Sequence, residues 1–79
     1  MEQLKTIKEL INQGDVAEAI RQLDEYLITD STDRHEAFYL LGNAYRKQGN
    51  WQLALNNYQY AIDLNLDSPA REAYRMAMD

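Results

Sequence analysis

Apolar residues recur at helical spacing in successive stretches of this chain, each broken by a polar or glycine-containing turn. Leu4, Ile7, Leu10 and Ile11 share one helical face and predict a first helix over residues 2–13. Val16, Ala19, Ile20, Leu23 and Leu27 form the stripe of a second, over 15–28. Phe38, Leu41, Ala44 and Tyr45 mark a third over 33–48, and Trp51, Ala54, Leu55, Tyr58, Ala61 and Ile62 a fourth over 50–64. A fifth is expected over 69–78. No run alternates with period two for long enough to suggest a sheet, so the expected fold class is all-α. Short turns between the helices make sequential neighbours antiparallel.

The punctuation between the stripes agrees with these limits. Gly14 and Gly49 stand where a helix ends on a left-handed residue. Asp15 is expected to cap the second helix, with Glu18 three residues on closing a reciprocal capping box. Thr29 to Arg34 is a polar loop in which Ser31 reads as a cap. Ser68-Pro69 suits the start of the fifth helix, a hydroxyl cap followed by proline at the first helical position.

The stripes also repeat. Gly14-Asp15-Val16-Ala17-Glu18-Ala19-Ile20 recurs in kind, thirty-five residues later, as Gly49-Asn50-Trp51-Gln52-Leu53-Ala54-Leu55. Leu23 then answers Tyr58, Leu27 answers Ile62 and Asp30 answers Asn65. Glu36-Ala37-Phe38 is echoed by Glu72-Ala73-Tyr74, thirty-six residues on. A period of a few tens of residues marks stacked helical units, none able to bury its apolar face alone. Such stacks present a surface to a partner and seldom do chemistry.

Composition narrows the function further. Seventy-nine residues make one small domain without cysteine, so there is no disulfide framework, thiolate metal site or thiol nucleophile. A net charge of -5 opposes general affinity for nucleic acid, which needs a basic footprint. Apolar runs are far short of a membrane span, and Met1-Glu2-Gln3-Leu4-Lys5 has no signal-peptide character. The expectation is a soluble, cytoplasmic protein without cofactor or metal. His35, the single histidine, reads as an exposed bystander at a helix start. Neighbouring acids such as Asp24-Glu25 point to different sides of a helix, and no histidine pairs with Ser31 or Ser68 to activate it.

Phe38-x-x-Leu41-Gly42-x-x-Tyr45 followed by Gly49, Trp51, Ala54, Tyr58 and Ala61 resembles the tetratricopeptide repeat. A glycine at position 42 inside a helix costs about 1 kcal/mol against alanine, which a close helix approach would offset. Ala54 and Ala61 are small where a partner helix would cross. The resemblance covers residues 35–68 strongly and residues 1–34 in their second half. It implies a right-handed stack of helix hairpins: repeat one over about 1–34, repeat two over about 35–68 and a capping helix over about 69–79. Departures are Thr6-Ile7 in place of the Leu-Gly pair, Leu66 where the usual proline follows the second helix, and Ser31 in the equivalent place of the first unit. A truncated longer array is the alternative to the cap.

In such repeats the first helix of each pair lines a concave groove. The resemblance therefore implies a peptide-binding set of Lys5, Lys8 and Asn12 from the first unit, Tyr39, Leu40, Asn43, Arg46 and Lys47 from the second, and Arg75 with Met76 from the cap. Five of the eight basic residues fall in that set, implying a locally basic trough for an acidic segment or a C-terminal carboxylate. Some members hold acidic chaperone C-termini in a carboxylate clamp. Here Lys8 and Leu40 stand where two of its asparagines belong, so that clamp is not expected. The expected function is a non-catalytic protein–protein interaction scaffold. A structural alternative is a homodimer formed through the uncharged stretch from Asn50 to Ile62, with Gln52, Asn56, Gln59 and Tyr60 outward.

Overall fold

A computed structural model describes residues 2–29 and 32–79. Among the described residues there are five α-helices and no strand: α1 Glu2–Gln13, α2 Val16–Thr29, α3 Arg34–Lys47, α4 Trp51–Leu64 and α5 Ala70–Met78. Each lies within two residues of its predicted limits. Asp30 and Ser31, expected in the loop after α2, lie outside the described residues.

Helix ends form as the glycines require. Gly14 adopts φ +93° and Gly49 φ +78°. At α1 the N–H of Gly14 reaches Ile11 O at 3.1 Å and that of Asp15 reaches Leu10 O at 2.9 Å. At α3 the N–H of Gly49 reaches Arg46 O and that of Asn50 reaches Tyr45 O, both at 2.9 Å. These paired backbone bonds satisfy carbonyls that the last helical turn leaves open. Asn50 then caps α4, its side chain accepting from Leu53 N at 3.2 Å. Ser68 Oγ accepts from Ala70 N at 3.0 Å at the head of α5.

The capping box expected at α2 does not close. Glu18 accepts instead from Arg21, at 2.7 Å, and from Gln22, at 2.8 Å, while the Asp15 N–H is already taken by Leu10 O. A guanidinium one turn away outcompetes a backbone N–H that has a partner.

α3 is the central element, packed most extensively on α4 and also on α2 and α1; α5 packs on α4 and touches α3 as well. One buried cluster joins α1, α2 and α3 through Leu4, Ile7, Ile11, Ala19, Leu23, Tyr26, Ala37, Leu40, Leu41 and Ala44. A second joins α4 and α5 through Ala54, Tyr58, Ala61, Ala70 and Ala73, and Phe38, Tyr39 and Tyr45 pack against both clusters. Tyr58 explains the glycine in α3, because its ring lies where any Cβ on Gly42 would stand. Ala54 and Ala61 are fully buried in the second cluster.

Two expectations about the core are corrected. Trp51, placed in the apolar stripe of α4, is 50% exposed at the first residue of that helix. Leu40 is only 1% exposed, enclosed by the α1–α2–α3 cluster. Tyr26 was absent from the predicted stripe, yet it is fully buried and its phenol donates to Thr32 O at 2.7 Å.

Candidate interaction groove

On α3 the residues 36, 39, 43, 46 and 47 recur at three- and four-residue intervals, so they form one strip along the helix. Tyr39, Asn43 and Arg46 are partly buried and Lys47 is exposed. On α1, Lys5, Lys8 and Asn12 are exposed. Leu40 does not belong with them. Its burial removes it from the ligand-contacting set, since a side chain enclosed by three helices has no surface to offer a peptide.

Lys5 and Lys8 share a depression of about 510 Å³ with Leu4, Asp33, His35 and Glu36. This end is therefore mixed in charge, with two carboxylates beside the two ammonium groups. His35 is a partly buried member of its wall, with Nδ1 enclosed and without a hydrogen-bond partner, and not the exposed bystander expected. Glu36 was overlooked although the same helical spacing that selected Tyr39 also selects it.

Farther along α3 a second group gathers around Tyr58. Its hydroxyl donates to Asn43 Oδ1 at 2.6 Å, and the Tyr39 ring centroid lies 6.1 Å from its own. Burial raises the pKa of the Tyr58 phenol above its ordinary value, while the charge of Arg46 pulls the other way. Arg46 therefore sits within electrostatic reach of the same point.

The cations differ in how far they are already engaged. Arg75 pairs with Glu72 on its own helix. Among the described residues Lys5, Lys8, Arg46 and Lys47 have no ion pair; Arg21 of α2 is held by Glu18 and Glu25. No group of three or more potential metal-ligating His, Cys, Asp or Glu side chains exists among the described residues, and no described helix is long and apolar enough to cross a membrane.

A stack of antiparallel helices, with first helices carrying a partly open polar strip, defines the class of helical-repeat interaction module. The family model described as tetratricopeptide repeat matches residues 35–68, which span α3 and α4. The chain belongs to the tetratricopeptide-repeat family. It is 39% identical over 61 residues to the photosystem I assembly protein Ycf3 of Synechococcus sp. (strain CC9902), a stretch that takes in 75% of this chain and 35% of that protein. The chain thus spans well under half of that curated relative. It is 63% identical to Bacteroides fragilis protein BF1650, whose solution NMR structure superimposes with a TM-score of 0.94 over 100% of this chain and 80% of that one.

Proposed function

We propose that this protein is a non-catalytic module that holds an acidic peptide or protein segment along the first-helix strip. The observation carrying this reading is that Lys5, Lys8, Arg46 and Lys47 lie on first helices without an ion pair among the described residues, in a chain of net charge -5. Lys5 and Lys8 attract one end of the segment, tempered by Asp33 and Glu36. Arg46 and Lys47 attract the other, Asn12 and Asn43 bond its backbone, and Tyr39 supplies apolar contact. Arg75 joins only by leaving Glu72. That exchange costs little, because exposed ion pairs are worth about 1 kcal/mol or less. Family membership supports a protein partner, as does a relative named for an assembly role.

The test is anisotropy of a labelled oligo-aspartate peptide titrated with the protein. Binding should weaken as salt rises, because exposed charges are screened over about 8 Å at physiological ionic strength. Arg46→Glu with Lys47→Glu should abolish it, and Arg21→Glu on α2 should leave it nearly unchanged. Preference for neutral or basic peptides, or indifference to the double reversal, defeats the reading.

A second reading rests on a different surface. Gln52, Asn56 and Gln59 of α4 are exposed, and Trp51, Tyr60 and Leu64 on the same helix are 50%, 52% and 54% exposed. A helix with such apolar exposure, uncharged from its cap to Ile62, favours self-association.

A further inference from the structure

The asparagine of the α3 strip is held by a residue from the helix behind it. Tyr58 is fully buried, boxed between Gly42 and the Tyr39 ring, so its hydroxyl is delivered to a fixed point. There it donates to Asn43 Oδ1 at 2.6 Å. A carboxamide carries its acceptor oxygen and its NH2 donors on opposite arms. With the oxygen committed to Tyr58, the NH2 arm is turned away from the hydroxyl, and Asn43 is only partly buried. Arg46, one turn on and within electrostatic reach of Tyr58, likewise offers donors and no acceptor.

We infer that Tyr58 is a positioning residue: it locks the Asn43 amide with its NH2 toward the groove. Asn43 and Arg46 then make a donor-only subsite that takes a carboxylate or carbonyl oxygen of the ligand and rejects a donor. This rests on the groove reading and adds the polarity of one point within it. Without the phenol the amide is free to turn over and set its own oxygen against the incoming carboxylate. The ring, which fills the space at Gly42, has a separate structural duty that phenylalanine would keep.

The probe is N-acetyl-tetra-aspartate amide, titrated into isotopically labelled protein and followed by NMR. In the parent, the Asn43 side-chain NH2 resonances should move with the peptide. Tyr58→Phe should weaken binding roughly three- to tenfold, the range of one hydrogen bond's net worth. Its salt dependence should match the parent's because no charge is removed, and a merely structural loss would not show this unchanged slope together with an intact spectrum. Asn43→Asp keeps an acceptor for Tyr58 but places a carboxylate oxygen where the NH2 stood, so binding should be lost with the fold retained. If the peptide binds and the Arg46/Lys47 reversal abolishes it, yet the Asn43 NH2 stays still or Tyr58→Phe binds like the parent, the subsite alone is overturned. If the parent does not bind the peptide at all, the groove reading falls and the subsite with it.

Discussion

Tyr58 decides the fate of two residues on α3 that are only one position apart. Its ring forbids a side chain at Gly42, and its hydroxyl orients Asn43. In an open helix, Gly42→Ala would stabilise by about 1 kcal/mol. Here the methyl would overlap a boxed-in ring, so denaturant unfolding should show a loss of about 1–3 kcal/mol instead. A second residue-scale prediction concerns Glu18, whose hydrogen bonds from Arg21 and then Gln22 hold its pKa at about 2, below the ordinary 4.5. Because the folded value is depressed, the stabilisation is full above 4.5 and is lost as pH falls through about 2. Carboxyl-carbon NMR should find that low midpoint, and Arg21→Ala should return it toward the ordinary value.

At the scale of the helix, the chain's own pattern was largely sufficient. Helical spacing of apolar residues and the two glycine stops are local properties, which is why each helix is found where it was expected. Gly49 is held at φ +78° with open space around it. Gly49→Ala should therefore cost about 1–2 kcal/mol through backbone strain alone, read as a lower denaturation midpoint with unchanged slope. Ala54 is a packing residue, fully buried in the α4–α5 cluster. Ala54→Leu should overfill that cluster and cost about 1–3 kcal/mol; a parental melting curve would place the crossing elsewhere. The capping box failed for a local reason that sequence spacing does not rank: Arg21 and Gln22 both reach Glu18 from the next turn.

For the whole molecule, α5 acts as a lid on α4, with Ala70 and Ala73 buried against Ala54, Tyr58 and Ala61. We expect a chain without residues 70–79 to bind hydrophobic dye and melt less cooperatively, because those alanines and the tyrosine would meet water. Sedimentation at tens of micromolar protein, about the range where modest interfaces show, tests the homodimer. Asn56→Lys with Tyr60→Glu should then convert a dimer to monomer without unfolding it, and a parent that is already monomeric removes that reading.

By itself the sequence determined the all-α class, the helix limits, the glycine-terminated turns and the family, since period, backbone freedom and motif spacing are all written within one helix or one hairpin. It also placed Tyr39, Asn43, Arg46 and Lys47 on one strip of α3, because residues three and four apart on a helix necessarily share a face. Only the tertiary structure decided that Leu40 is core and Trp51 surface, that Asp33 and Glu36 share a depression with Lys5 and Lys8, and that Tyr58 reaches Asn43 across a separation of 15 residues. Those outcomes depend on where one helix crosses another. A crossing is set by the joint packing of α1 through α5, and no single stripe of residues contains it.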